Sequence, residues 1–213
     1  MTALDRMLAG LDSVLKTVTV SRTVARTRPV RNNPAVAVPE NYLSRNEVSL
    51  SAGLMRVNHA GEIAAQGLYQ GHSLLARDAT IRRQFRDAAA EERDHLGWCE
   101  ERLAQLNARP SRLSPLWYVG SLAIGAASGV LGDKWSLGFI EETERQVAEH
   151  LSGHLERLPA SDARSRAIVE TMRSEEEHHG VCAKRAGAAT LPAPVRELMR
   201  MTARIMTRTA FWV

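Results

Sequence analysis

The sequence has 213 residues, 44% of them apolar, which is enough chain to bury one core and too little to require a second domain. A formal charge of +4 permits an anionic partner, but only 5% of residues are aromatic and the basic residues alternate with acidic ones along helix-like stretches. That pattern argues against nucleic acid and leaves an acidic membrane surface as the better match. Two cysteines, Cys99 and Cys182, with no CxxC spacing exclude a disulfide scaffold and suit a reducing cytoplasm.

Residues 1–40 divide into an amphipathic stretch over 1–18, with Leu4, Met7, Leu8, Leu11, Val14, Leu15 and Val18 at helical spacing, and a linker marked by Pro29, Pro34 and Pro39. The start lacks the basic, apolar and small-residue regions of a signal peptide. Arg22, Arg26, Arg28 and Arg31 loosely resemble a transit peptide, which Asp5 and Asp12 oppose. The compact domain is expected over 41–213. Helical periodicity runs over Leu50–Leu75, Ile81–Leu106, Leu137–Leu158 and Ala163–Ala186, with Pro110, Pro115, Pro159 and Pro192 as punctuation. Four helices of this length predict an all-α four-helix bundle.

Two further segments are apolar or amphipathic. Leu113–Leu131 carries no charge and is long enough to span a bilayer. Val195–Val213 sets Val195, Leu198, Met199, Ile205, Met206 and Trp212 against Arg196, Arg200, Arg204 and Arg208, the pattern of a helix lying on an anionic membrane or packed on the bundle.

The chemistry is concentrated in Glu and His. Glu92-x-x-His95 on the second periodic stretch and Glu175-x-x-His178 on the fourth place a carboxylate and an imidazole about 60° and about 4.5 Å apart on one helix, so that both reach one metal. Glu176 and His179 fit the same spacing. A single such pair is a weak signal. Glu92, however, falls on the apolar face of Ile81, Phe85, Cys99 and Leu103, where an unpartnered carboxylate is costly. Glu144 falls on the face of Leu137, Val147, Leu151 and Leu155, while Glu142 and Glu149 are expected to point away. Glu62 lies at the edge of the first apolar stripe.

These residues form a repeat, because Glu62 precedes Glu92 by 30 positions and Glu144 precedes Glu175 by 31. Each half is a Glu helix followed by a Glu-x-x-His helix, the ligand set of ferritin-like di-iron carboxylate bundles. Four carboxylates and two imidazoles suit iron or manganese better than a thiolate-seeking metal. Leu113–Leu131 separates the halves, so a single crossing there would put half of the cluster on each side of a bilayer. It is expected instead to dip into one leaflet or to roof the bundle, offering an apolar route for a polyprenyl tail. Cys99 and Cys182 read as small core residues.

Leu54-Met55-Arg56-Val57-Asn58-His59-Ala60-Gly61-Glu62, Glu92-Arg93-Asp94-His95-Leu96, Glu144-Arg145-Gln146-Val147-Ala148-Glu149-His150-Leu151 and Glu175-Glu176-Glu177-His178-His179 resemble the bacterial demethoxyubiquinone hydroxylase family from about Leu50 to Val213. The resemblance implies two iron ions held by Glu62, Glu92, His95, Glu144, Glu175 and His178, with Glu92 and Glu175 bridging. It also implies ring hydroxylation of a demethoxyubiquinone or demethoxyubiquinol with O2 in ubiquinone synthesis, and NADH as the ultimate electron donor. His150 resembles a family histidine that relays protons or electrons. Periodicity alone points His179 closer than His178 to the face of Ile168, Met172 and Cys182, so the register stays open, and the family pattern favours His178.

No GxGxxG follows a strand-like run, so no Rossmann-type site for flavin or nicotinamide is expected, and electrons must arrive through the quinol or a partner. The partners expected are a polyprenyl quinone, the cytoplasmic face of a bacterial inner membrane, other proteins of quinone synthesis and further copies of the chain. Two other classes share parts of the pattern. A ferritin-like ferroxidase needs the ligands without the apolar segments, and a metal-free helical scaffold needs neither the phase nor the repeat.

Overall fold

A computed structural model describes residues 31–213, so the expected helix over 1–18 and the arginines at 22, 26 and 28 lie outside the described residues. Six helices follow in chain order, with no strand among the described residues: α1 (Arg45–Leu75), α2 (Ala79–Gln105), α3 (Ser114–Val130), α4 (Asp133–Arg157), α5 (Ala163–Arg185) and α6 (Ala193–Ala210). The four periodic stretches are α1, α2, α4 and α5. The helix starts are set by local chemistry. Ser44 and Glu47 close a reciprocal capping box that starts α1 ahead of its first apolar residue. Asp78 accepts from Thr80 N and Ile81 N to start α2, and Asp162 accepts from Ser165 N to start α5.

The helices pair as α1 with α2 and α4 with α5, and α2 meets α5 across the bundle. Two apolar layers fill the interior. One holds Leu54, Met55, Trp98, Cys99, Leu103, Leu151, Ile168 and Met172, and the other holds Leu68, Tyr69, Phe85, Leu137, Ile140 and Ala183. On each of the four helices the acidic residue singled out from the sequence lies between its contributions to the two layers, so the fold brings them to one level.

The uncharged stretch Leu113–Leu131 becomes α3, which lies lengthwise along α1. The approach is backbone to backbone. A Cβ on Gly67 would collide with the Tyr118 carbonyl oxygen, and one on Gly125 with the Leu68 carbonyl oxygen. The side chains of Leu116, Val119, Ile124 and Val130 are left exposed. No helix among the described residues is long and apolar enough to cross a membrane. On α6, only Ala210 is buried, while Leu198, Met201 and Ile205, and Trp212 just beyond the helix, are exposed.

The proline-rich approach to α1 lies against the bundle from residue 31 onward. Ala35 joins the first apolar layer, and Asn33 Nδ2 donates to Glu101 at 2.8 Å. Arg102 locks this end of the molecule. Its fully buried guanidinium donates to Asp162 Oδ1 at 2.7 Å, Ser165 Oγ at 2.9 Å, Gln105 Oε1 at 2.9 Å and both Glu40 oxygens at 3.1 Å. Asp162 is itself 1% exposed. Truncating Arg102 therefore strands a buried carboxylate, and Arg102→Ala is expected to lower unfolding free energy by about 3–5 kcal/mol. Urea denaturation of both proteins checks this, and a loss under about 1 kcal/mol would show the network to be dispensable.

Candidate metal centre

Between the two apolar layers, Glu62 of α1, Glu92 and His95 of α2, Glu144 of α4, and Glu176 and His179 of α5 are all buried. Two overlapping sets form, Glu62/Glu92/His95/Glu176 and Glu92/Glu144/Glu176/His179, with the donor atoms of each set within 4.8 Å of one another. Glu92 and Glu176 belong to both sets.

The imidazole Nδ1 atoms face inward. His95 Nδ1 is 3.0 Å from Glu92 Oε2, 3.2 Å from Glu176 Oε1 and 3.7 Å from Glu62 Oε2, and His179 Nδ1 is 3.0 Å from Glu92 Oε1. The outward nitrogens are held by a second pair of carboxylates. His95 Nε2–H donates to Glu175 Oε2 at 2.6 Å, and His179 Nε2–H donates to Glu91 Oε2 at 2.9 Å. A carboxylate behind an imidazole fixes the tautomer and directs the Nδ1 lone pair at a metal.

The sequence expectation is corrected at one place. Glu175 and His178 do not enter the cluster; Glu176 and His179 do. Glu175 sits at the rim, half-buried, as the outer partner of His95, and His178 is exposed, its Nε2 3.4 Å from Cys182 Sγ. The reason is helical phase, since Met172, Glu176, His179 and Ala183 share the buried face of α5 and residues one position earlier rotate off it. The doublet carried the signal, because Glu91-Glu92-x-x-His95 and Glu175-Glu176-x-x-His179 align as E-E-x-x-H, each with an outer carboxylate followed by an inner one.

Sequence reasoning also missed Tyr69, two turns beyond Glu62, whose hydroxyl donates to Glu144 Oε1 at 2.6 Å. Burial and the adjacent Glu144 carboxylate push its pKa well up, so it remains a donor. Glu142, expected to point away, is buried instead, with Arg145 Nη2 at 2.8 Å and Gln146 Nε2 at 2.7 Å. His150 belongs to neither set. Its ring centroid lies 3.9 Å from that of His154, and burial, with Arg157, lowers its pKa to about 4, so it is neutral near pH 7. Cys99 is buried in the apolar layer and Cys182 half-buried, and both are free thiols.

Electrostatics separates the carboxylates. Burial raises Glu62 and Glu144 well above the usual range. Burial acts the same way on Glu92 and Glu176, but His179 and His95 outweigh it and lower both. Burial would lower the histidines, yet the surrounding carboxylates prevail, raising His95 well up and His179 to about 12. Positive charge is thus what the cluster demands. Glu62 Oε2 and Glu176 Oε2 are buried without a hydrogen-bond partner, and Glu92 Oε1 faces His179 Nδ1 at 3.0 Å, an arrangement of donor atoms that two divalent cations would satisfy.

The family model described as ubiquinone biosynthesis protein COQ7 matches residues 49–210. The chain is 52% identical over 211 residues, 99% of each chain, to 3-demethoxyubiquinol 3-hydroxylase of Nitrosospira multiformis. It is 52% identical over 219 residues, covering 98% of this chain and 99% of the other, to the protein of that name from Ralstonia pickettii. Among solved structures, a dodecameric thioferritin, the bacterioferritin-related protein of Bacteroides fragilis, superposes with a TM-score of 0.56 at 17% identity over 73% of this chain and 89% of that one. That likeness establishes the ferritin-like fold.

The register has a direct consequence. Glu176→Ala and His179→Ala are each expected to abolish stable uptake of two Fe(II) per chain. Glu175→Ala is expected to retain both ions with affinity about 10–100-fold weaker, the loss typical of an outer partner, and His178→Ala to bind as wild type. Anaerobic Fe(II) titration with a competing chelator measures all four, and full retention in Glu176→Ala would return the register to Glu175 and His178.

Proposed function

Because the chain belongs to the COQ7 ubiquinone biosynthesis family, we propose that it is a di-iron 3-demethoxyubiquinol 3-hydroxylase, inserting one oxygen atom of O2 into the quinol ring. The observation that carries this reading is the buried set of four carboxylates and two imidazoles with two shared members, set in a chain of that family. Two iron ions held there would supply the electrons and the Lewis acidity for O2 reduction at a single site, with Glu92 and Glu176 shared between them. NADH supplies the electrons ultimately, the second oxygen atom leaves as water, and the quinol or a partner protein carries the electrons inward.

The chain's own residues prepare that chemistry. Glu175 and Glu91 hold the imidazoles in the tautomer that leaves Nδ1 free. Tyr69 donates its hydroxyl hydrogen to Glu144 Oε1 and so fixes the orientation of that carboxylate. The apolar layers above and below exclude water from the cluster, strengthening every charge interaction within it. His150, neutral and with its Nε2 unpartnered, lies on the helix that carries Glu144, in keeping with the relay role that the family histidine suggests.

The reading extends to the membrane. Leu198, Met201 and Ile205 are exposed along α6 beside Arg204 and Arg208, with Trp212 exposed just beyond it, and the exposed Leu116, Val119, Ile124 and Val130 of α3 are also apolar. This combination suits a chain lying peripherally on the cytoplasmic face of an inner membrane, where a polyprenyl quinone resides. Flotation with phosphatidylglycerol-containing vesicles is expected to carry the protein upward. Replacing Leu198 and Ile205 together by Ser is expected to weaken this at least about tenfold, from the apolar area lost. Equal binding by wild type and variant would place the membrane contact elsewhere.

Turnover tests the chemistry. Iron-loaded protein given a demethoxy quinone, NADH and then O2 is expected to yield a ring heavier by one oxygen atom, and Glu144→Ala to yield none. If iron is taken up and oxidised but the ring gains no oxygen, an iron-handling role replaces hydroxylation.

A further inference from the structure

Arg31 lies outside the bundle helices, yet its guanidinium is aimed at the carboxylate behind one of the two cluster histidines. Its Nη1 donates to Glu175 Oε1 at 2.7 Å and its Nη2 to Glu175 Oε2, while Nε is 3.3 Å from Asp94 Oδ2. The guanidinium also stacks over Trp98, 5.1 Å from the ring centroid, and the Arg31 carbonyl accepts from Trp98 Nε1 at 3.4 Å. Trp98 in turn packs on His95, with ring centroids 5.2 Å apart. Arg31 therefore grips both groups that orient the His95 ring, the carboxylate at its Nε2 and the indole on its flank.

The other half of the cluster is built differently. His179 Nε2 reaches Glu91 at 2.9 Å, and that side chain is 40% exposed, against 24% for Glu175. Fork-to-fork pairing with an arginine fixes the plane of a carboxylate as a lysine or water cannot. We infer that Arg31 is a positioning residue for the metal centre, acting through Glu175 to lock the His95 imidazole, so that the two metal positions are inequivalent although their ligands are paired by the internal repeat. The same grip holds Glu175 at the rim. A carboxylate one position before Glu176 is thereby kept as a hydrogen-bond acceptor and out of the cluster.

Two effects of Arg31 on cation binding have opposite sign, which makes the inference testable. Its positive charge opposes a divalent cation at either position, so charge removal alone would tighten binding. Orientation favours the cation beside His95 only, so its loss weakens one position and spares the other.

The inference rests on the metal-centre reading, and the full-length protein loaded with Zn(II) or Co(II) tests each separately. In Zn(II)-loaded protein with 15N-labelled histidine, Arg31→Met is expected to speed exchange of the His95 Nε2 proton with water at least about tenfold and leave that of His179 unchanged. In Co(II) titrations, one of the two positions is expected to weaken about tenfold, the lower end of what an outer partner contributes. Arg31→Lys, which keeps the charge without the fork, should weaken the position beside His95 at least as much as Arg31→Met. In a Glu175→Gln background, Arg31→Met should add nothing. Unchanged exchange at His95, equal changes at both histidines, or tighter Co(II) binding would overturn the role of Arg31 while leaving the centre intact. Wild-type protein that binds neither ion would remove the metal-centre reading itself.

Discussion

Four carboxylates meet in the middle of an apolar bundle, and that is the constraint the rest of the structure answers. Buried carboxylates of like charge repel and lose their hydration, so they persist only where positive charge is delivered to the same level. Two helices do so by carrying an imidazole three residues after a carboxylate, and the other two bring a single Glu each. The apolar layers lie to either side of the acidic level and anchor each of the four helices to the core above and below it. The outer carboxylates follow from the same need, since an imidazole turned inward leaves a second N–H that must also be satisfied.

The helices were legible in the sequence because proline and periodicity mark them, and the extra turn at the start of α1 was written in the Ser44-x-x-Glu47 cap. Glu92 and Glu144 were readable because each interrupts an apolar face, and Glu62, at the edge of its stripe, was readable from the repeat spacing. The register on α5 was not, for two adjacent glutamates and two adjacent histidines both satisfy the spacing and differ by only about 100° of phase. Glu142 misled for another reason. A helix wheel treats a carboxylate as outward unless a metal holds it, but Arg145, three residues on, neutralises Glu142 and allows it to be covered. On α3 no phase could be read at all, because a stretch without charge has no polar face to mark its outside.

The segment from Arg31 to Glu40 carries no apolar pattern, which is why it reads as a linker. Apart from Ala35, which enters the first apolar layer, its attachment is polar: Asn33 to Glu101, Glu40 to Arg102 and Arg164, and Arg31 to Glu175. Such contacts are invisible to hydrophobic periodicity and depend on distant parts of the chain. They also place the approach to the bundle against Glu175 and Trp98, which flank His95 of the buried cluster, so the path of the chain before α1 bears on how that cluster is arranged.

The glycine seam between α1 and α3 sorts the surface of α3 into two regimes of sequence change. On the inner side the neighbouring backbone occupies the space where a side chain would begin, so at Gly67 and Gly125 every other amino acid is an insertion of volume against main chain that cannot retreat. On the outer side, at Leu116, Val119, Ile124 and Val130, nothing in the fold constrains shape, and one apolar residue can replace another. Drift along this helix is therefore confined to one side. The composition it preserves is glycine and the buried Tyr118 within and oil without, a helix whose outward apolar side chains contribute little to the bundle and are left for whatever surrounds it.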